Sequence, residues 1–178
     1  TMDSLAKARG CAFSAESVAP VMVSDGMAHA GRGEIPMGEF WLMSPTHDKP
    51  TDILDAGSGG HIYGKSVIQA EAFTELREGW DEYPGMLKTL LDRNYALGVN
   101  RVVYHVFTEN PWPDRRPGMT LTGVGTYFQR DQTWWKPGRA WVGYAARCQH
   151  LLQQGLPVND IAVFTGWEIP RRALTVDR

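Results

Sequence analysis

The stretch SVIQAEAF (residues 66–73) is followed by PGMLKTLLDRNYAL (84–97) and then by NRVVYHVF (100–107), and this succession decides the fold class. The first and third segments are short, apolar and rich in β-branched or aromatic residues, which predicts strands. The middle segment has leucines at helical spacing, a proline near its start and Gly98 after its end, which predicts a helix. Strand, helix and strand in this order form one βαβ unit of a parallel sheet.

The same alternation continues on both sides of this unit. Residues 51–63 and 139–154 predict further helices, and residues 10–14, 36–41 and 159–164 predict further strands. We therefore expect an α/β protein, either an open doubly wound sheet or part of a (β/α)8 barrel. A barrel needs eight strands and about 250 residues. A chain of 178 residues would then hold about half of one.

Composition excludes several classes of function. The chain has 18 Lys and Arg against 20 Asp and Glu, a net charge of -2 without charged runs, which excludes a polybasic nucleic-acid binder. No apolar stretch approaches the roughly 20 residues of a membrane helix. Cys11 and Cys148 lack partners at metal-ligand spacing, so both are expected to be free and buried. Residues 57–60 (GSGG) lack the spacing of a dinucleotide fingerprint, so an oxidoreductase has no basis in the sequence.

Carboxylates and imidazoles recur at the predicted carboxyl ends of the strands, where parallel α/β proteins place their functional residues. Glu71 is the most informative, because it stands between two alanines in an apolar strand, where a charge needs a task or a partner such as Arg101. His105 fits a substrate contact or a hydrogen-bonded core histidine equally well. The other candidates are Glu16, Glu39, Glu109 and Glu168 at strand ends, with His47 and His61 in loops.

Aromatic residues make up 11% of the chain, and several stand beside Gly, Pro or Asp, as in loops that line a cleft. Trp41, Trp134 and Trp135 are candidate stacking platforms for a sugar, although they could equally pack the interior of a barrel. Several carboxylates in an aromatic-rich cleft without a cofactor motif favour glycoside hydrolysis. That reaction needs one carboxylic acid and one carboxylate.

Eight segments resemble, in this order, the catalytic region of glycoside hydrolase family 106, the α-L-rhamnosidases. The resemblance extends from about residue 16 to residue 172. One departure is Trp167, which follows Gly166 where the family pattern leads us to expect an acidic residue. The segments are IPMGEFW (35–41), HIYGK (61–65), QAEAFT (69–74), W-x-x-x-P-x-x-LK (80–88), GVNR (98–101), PGMTL (117–121), QTWW (132–135) and DIAVFTG (160–166).

The resemblance implies that residues 1–178 are a partial catalytic (β/α)8 barrel domain of a longer multidomain enzyme that cleaves terminal α-L-rhamnosyl residues from plant-type polysaccharides or glycoconjugates. It implies an inverting mechanism with Glu71 as the general base and a general acid upstream of this chain. Glu39, Glu16 and His61 match segments near the family's pocket and would contact sugar or calcium. Calcium, a periplasmic or extracellular location, and contact with the rest of the barrel and accessory domains are expected from the resemblance alone.

Two alternatives stay open at this point. The chain could be an inactive remnant that binds sugar without turnover. It could also belong to a retaining glycosidase in which Glu39 and Glu71 form the whole catalytic pair. The retaining pair predicts carboxyl groups roughly 5–5.5 Å apart, whereas an inverting pair stands roughly 6.5–9.5 Å apart.

Overall fold

A computed structural model describes residues 1–17, 25–44, 48–77 and 79–166. Helices and strands alternate after a short first helix. No helix in these ranges is long and apolar enough to cross a membrane. The elements are α1 (Met2–Lys7), β1 (Ser14–Glu16), α2 (Gly26–Arg32), β2 (Ile35–Trp41), α3 (Pro50–Ile62), β3 (Gln69–Thr74), α4 (Pro84–Ala96), β4 (Arg101–Tyr104) and α5 (Arg139–Leu152).

The four strands form one parallel sheet in the order β1-β2-β3-β4. Each strand pairs with the next one along the chain, and a helix connects each pair, as parallel pairing requires. The predicted α/β class is therefore confirmed. Membership of a closed (β/α)8 barrel stays a prediction.

One face of the sheet packs against helices. Phe40, Ala70 and Ala72 contribute this face, and they share one buried cluster with Leu87 of α4 and Trp141 of α5. Alternation along a strand turns the neighbouring residues, which include Glu39 and Glu71, to the opposite face. The helices therefore leave the second face of the sheet to the polar side chains.

Helix α3 lies so close to β2 that only glycine fits at the contact. A Cβ atom on Gly38 would stand 2.6 Å from the backbone oxygen of Asp52. Because Asp52 belongs to the first turn of α3, the contact ties the start of this helix to the strand that carries Glu39. Gly38 thus sets the depth at which β2 lies beneath the helix.

The prediction of a strand at residues 159–164 is wrong for the described structure, because this segment lies outside the sheet. Side chains of α5 and of its C-cap residue meet the backbone at the free edge of β4 and of the residue before it instead. The Val102 N–H donates to Gln149 Oε1 at 3.0 Å, and Gln153 Nε2 donates to the Asn100 carbonyl at 2.7 Å. These bonds occupy positions at which a fifth strand would pair, and Ile161 is left 82% exposed.

The other predicted helices and strands are present, with shifted ends. The first strand begins at Ser14 rather than at residue 10, β4 is shorter than predicted, and the helices α1 and α2 were not expected. The helix across residues 51–63 forms despite its four small residues at 57–60, because Gly59 lets α2 approach it closely and Gly60 makes room for Ile68 and for Pro36 of β2. Both cysteines are free as expected, but Cys11 is exposed and Cys148 half-buried, so the prediction that both are buried is wrong.

The substitution Gly38→Ala should destabilise the fold by about 1–3 kcal/mol, because its methyl group would collide with backbone that has no room to move. Urea unfolding of the purified protein measures the change. Gly143→Ala in α5 is the matched control, since its new methyl group would meet only the end of the Arg147 side chain. It should be neutral or stabilising by up to about 1 kcal/mol. Equal effects of the two substitutions would contradict the close approach of α3 to β2.

Candidate active site

Three glutamates meet on the face of the sheet opposite the helices. Glu39 of β2 and Glu71 of β3 are direct partners in the strand register, and Glu16 is the last residue of β1. One carboxylate oxygen from each of the three lies within 4.8 Å of the other two. Parallel pairing therefore gathers three residues that the sequence analysis had predicted only as separate strand ends. We call Glu16, Glu39 and Glu71 the carboxylate trio.

The trio is electrostatically unfavourable when all three groups are ionised, and the raised pKa values of Glu16 and Glu39 reflect this repulsion. Partial desolvation of its carboxyl group, together with the charges of Glu71 and Glu39, raises the pKa of Glu16 to about 7. Burial also raises the pKa of Glu39, although hydrogen bonds from the Thr74 and Trp41 side chains oppose the shift. At neutral pH the trio therefore holds a proton for part of the time.

Glu71 is held by a hydroxyl and approached by an imidazole. Thr74 Oγ1 donates to Glu71 Oε1 at 3.3 Å, and His105 Nε2 stands 3.8 Å from the same oxygen. The alternative partner, Arg101, lies opposite Gln69 in the register, and the contact that the structure shows for the Glu71 carboxylate is with Nε2 of His105. His105 thus belongs to the site, as the sequence analysis allowed.

A β-bulge at the end of β3 brings Thr74 to the trio. Phe40 pairs with Ala72 but Trp41 pairs with Thr74, so Phe73 is the extra residue. Phe73 has φ +67°, an unusual backbone for a bulky residue, and its side chain is fully buried. Its ring packs edge-on against Phe40 at 5.1 Å between centroids and against Trp141 at 5.9 Å. This aromatic packing stabilises the bulge and leaves Thr74 free to reach Glu71.

A polar layer lies below the trio, toward the starts of the strands. Gln69 Nε2 donates to Ser14 Oγ at 3.3 Å and to Met37 Sδ at 3.0 Å, and Ser14 Oγ donates to the Ile35 carbonyl. These residues join β1, β2 and β3 on the same face as the glutamates. They fix the spacing of the three strands immediately beneath the carboxylates.

The tryptophan candidates divide between the site and the helix layer. Trp41 ends β2, and its side chain lies near enough to Glu39 to oppose the rise in the pKa of that carboxyl group. Trp134 packs against Phe128 and donates its Nε1 hydrogen to the Glu82 carbonyl at 2.6 Å, among residues at the starts of α4 and α5. Trp135 is 45% exposed.

The remaining candidates lie away from the trio or outside the described residues. His61 lies in the last turn of α3, which returns to the start of β3, and lines a cavity with Ser66 and Asn100 there. Burial lowers the pKa of His61. The trio lies toward the carboxyl ends of the strands, whereas His61 lies at their amino ends. His61 is therefore separated from the trio. Glu109 is exposed in the segment after β4, and His47 and Glu168 fall outside the described residues.

Sequence reasoning missed a second acidic cluster, which directly follows β3. The Glu75 and Glu82 side chains are each about 1% exposed, and Arg77 pairs with both, at 3.2 Å from Glu75 Oε1 and 3.0 Å from Glu82 Oε1. Burial and the neighbouring Glu82 carboxyl group raise the pKa of Glu75 to about 8. The pattern TELRE (74–78) resembles a solvated loop, so only the position of Glu75 immediately after a buried strand could have indicated its burial.

The trio has the donor set of a hard cation. Its carboxylate oxygens are the ligands that Ca²⁺ prefers, and three of them converge without a lysine or arginine among the ion-pair partners described for the trio. A bound cation would relieve the repulsion that raises the pKa of Glu16. The residues present therefore fit a calcium ion.

The family model described as alpha-L-rhamnosidase, glycoside hydrolase family 106, matches residues 1–178. The chain belongs to this family. The resemblance inferred from eight short segments is therefore confirmed.

Two longer proteins are similar to this family 106 chain. A protein of Formosa agariphila, provisionally named a beta-glucuronidase, is 42% identical over 150 residues, which are 84% of this chain and 12% of the relative. The solved structure of a rhamnosidase from Novosphingobium sp. PP1Y matches with a TM-score of 0.78 and 30% identity, over 87% of this chain and 15% of that one. The chain thus spans less than a sixth of the length of either protein.

Glu75 should make stability depend on pH. Its pKa is about 8 in the folded chain and near 4.5 when unfolded, so the folded state holds a proton that the unfolded state releases. Stability should therefore fall as pH rises from about 4.5 to about 8, by at most about 1.4 kcal/mol per pH unit. Glu75→Gln, which keeps the neutral shape, should be more stable than the parent at pH 9 and similar to it at pH 4.

Urea unfolding at several pH values tests this expectation. Glu109→Gln, at an exposed position in the segment after β4, is the control and should follow the parent at every pH. If Glu75→Gln also followed the parent at every pH, Glu75 would not hold a proton in the folded state.

Proposed function

We propose that residues 1–178 form part of the catalytic (β/α)8 barrel of a longer multidomain α-L-rhamnosidase, which removes terminal α-L-rhamnosyl residues from plant-type polysaccharides or glycoconjugates. The observation that carries the proposal is the carboxylate trio at the carboxyl-terminal side of a parallel sheet in a family 106 chain. The similarity to a much longer rhamnosidase supports the larger domain arrangement. A polymeric substrate would place the protein in the periplasm or outside the cell.

Glu71 acts as the general base in this proposal. Its carboxylate removes a proton from a water whose oxygen bonds to the anomeric carbon, while the glycosidic C–O bond breaks and a carboxylic acid protonates the leaving oxygen. An inverting pair stands roughly 6.5–9.5 Å apart. Glu16 and Glu39 lie closer to Glu71 than that, with oxygens within 4.8 Å. Neither glutamate has the spacing of an inverting acid, so this proposal assigns the acid to a part of the polypeptide upstream of this chain, as the family resemblance implies.

A retaining mechanism is the second candidate, and the geometry gives it one specific support. Glu39 and Glu71 are direct register partners with oxygens within 4.8 Å of each other, closer to the roughly 5–5.5 Å of a retaining pair. The raised pKa of Glu39 suits the acid of such a pair. Glu71 would then attack the anomeric carbon while the glycosidic C–O bond breaks and Glu39 protonates the leaving oxygen. Water activated by the ionised Glu39 would afterwards hydrolyse the covalent glycosyl intermediate.

A neutral sugar suits the site better than a uronic acid. Three carboxylates within 4.8 Å of one another would repel the carboxylate of a glucuronide, whereas the methyl group of the 6-deoxy sugar rhamnose carries no charge. Trp41, at the end of β2 beside Glu39, offers an aromatic face for such an apolar surface. We therefore favour rhamnoside over glucuronide hydrolysis for this chain.

We also propose that one carboxylate oxygen from each of Glu16, Glu39 and Glu71 holds a calcium ion, so that the second oxygen of Glu71 stays available to the reacting water. When bound, calcium would offset two of the three negative charges of the ionised trio and offer a positive charge to sugar hydroxyl groups. The chain's own contribution is to converge the three carboxylates, with Thr74 hydrogen-bonded to Glu71 and Trp41 beside Glu39. An inactive remnant that binds rhamnose without turnover would need the same three residues.

The complete reading frame that encodes this chain should hydrolyse an aryl α-L-rhamnoside, and Glu71→Gln should lower kcat by a factor of about 10² to 10⁴. NMR of the first sugar released identifies the mechanism. The β anomer indicates inversion and the α anomer indicates retention. Under inversion Glu39→Gln should leave the stereochemistry unchanged.

Three results would each change a different part of this proposal. Full activity of Glu71→Gln would remove Glu71 as the base, with Glu39 next in line. An α anomer would select the retaining pair. Rhamnose binding by the parent protein without turnover would identify a sugar-binding remnant.

Removal of calcium should lower both activity and thermal stability, because it restores the repulsion within the trio. Chelator treatment followed by calorimetric titration with CaCl₂ measures the site directly. Glu16→Gln should weaken binding at least about tenfold, because it removes one of three anionic ligands. Glu34→Gln, which alters a residue that pairs with Lys7 outside the trio, should bind calcium like the parent protein. Unchanged melting and activity after chelation would exclude a calcium site here.

A further inference from the structure

A short segment of the loop between β4 and α5 binds across the ends of β3 and β4. The Gly125 N–H donates to the Glu75 carbonyl at 2.7 Å, and Thr126 Oγ1 donates to the Phe73 carbonyl at 3.0 Å, so the segment is fixed to the end of β3. The Thr126 N–H donates to the His105 carbonyl at 3.0 Å. We call residues 125–128 the clamp segment, because its backbone joins both strands.

The clamp segment touches the imidazole of His105 at a position where only glycine fits. A Cβ atom on Gly125 would lie 2.5 Å from His105 Nδ1, and Gly125 has φ +85°, which side chains other than hydrogen rarely tolerate. The backbone of His105 is fixed as well, since its N–H donates to the Ala72 carbonyl at 2.9 Å. The imidazole ring is therefore confined on the side that faces away from Glu71.

The hydrogen bonds available to His105 select its tautomer. Nδ1 is buried and has no hydrogen-bond partner among the described residues, whereas Nε2 faces Glu71 Oε1 at 3.8 Å. A buried N–H without an acceptor is rarer than an acceptor without a donor. The proton therefore lies on Nε2, where it points to the carboxylate. A separation of 3.8 Å exceeds a hydrogen bond, and such contacts often tighten when substrate binds.

We propose that His105 is a positioning residue, held by the clamp segment, which together with Thr74 occupies Oε1 of Glu71 and leaves Oε2 as the oxygen that meets the reacting water. The proposal rests on the proposed role of Glu71 as general base. It revises the expectation that His105 contacts substrate. The side chain is only 18% exposed, and the ring nitrogen that the clamp segment does not cover faces Glu71.

The expected consequence is a loss of turnover rather than of substrate affinity, because a misdirected base carboxylate slows the chemical step. In the complete reading frame, His105→Ala should lower kcat about 10- to 100-fold and change KM less than about threefold. His105→Gln, whose side-chain amide can still donate near Oε1, should recover part of that loss. Gly125→Ala should lower kcat similarly, because its methyl group displaces the imidazole.

The double variant separates positioning from general damage. If Gly125 acts through His105, adding Gly125→Ala to His105→Ala should cause no further loss of kcat. Gly64→Ala is the matched control, because Gly64 has φ +67° but nothing within 4 Å of an added Cβ. The Gly64→Ala variant carries similar backbone strain near the amino ends of the strands, away from the trio, and should keep the parent's kcat.

A spectroscopic readout keeps the test independent of activity. Long-range ¹H–¹⁵N spectra of the labelled protein should show His105 in the Nε2–H tautomer, and Gly125→Ala should shift its signals. A proton on Nδ1, fully additive losses in the double variant, or unchanged kcat in His105→Ala while Glu71→Gln is inactive would each overturn the positioning role. Full activity of Glu71→Gln would instead remove the base on which the proposal rests, and the NMR result would still be decisive for the tautomer.

Discussion

The structure depends on one unfavourable interaction, the repulsion among three carboxylates that parallel strand pairing holds within 4.8 Å of one another. Their repulsion and burial appear in the raised pKa values of Glu16 and Glu39. Side chains that stand ready to hydrogen-bond these carboxylates, Thr74 and Trp41, reduce the cost but do not remove it. A site kept in this state against its own electrostatics is typical of a functional centre rather than of a solvated surface.

The features around the trio can be understood as supports for it. Gly38 lets α3 lie directly on β2, and the Phe73 bulge turns Thr74 toward Glu71 while its ring fills the core on the other face. The two faces of the sheet are therefore coupled, because the same bulge that completes the helix-side packing also completes the hydrogen bonding of the catalytic candidate. A change in the aromatic core would consequently be felt at the carboxylates.

The order of strands and helices could be predicted from the sequence because apolar periodicity and glycine or proline boundaries are local signals. Glu71 could be predicted as a candidate site residue for the same reason, because a charged residue inside an apolar strand is also a local signal. Local sequence could not show that residues 159–164 stay outside the sheet. Gln149 and Gln153, which are distant from β4 along the chain, hydrogen-bond the backbone at its free edge. The burial of Glu75 and Glu82 could not be predicted, because their sequence pattern is that of a surface loop and only tertiary packing buries them.

The strands lie in the sheet in the same order as along the chain, and this order has a consequence for the evolution of this family. The trio, its bulge and the polar layer below it all lie within residues 14–74, so the longest separation among their hydrogen bonds is 55 residues, between Gln69 and Ser14. Recombination with a breakpoint after residue 74 would therefore transfer the whole carboxylate centre as one heritable block, while it exchanged His105 and the segment that confines it. The proposed ion site and the proposed positioning of Glu71 by His105 would then be inherited separately along the same gene.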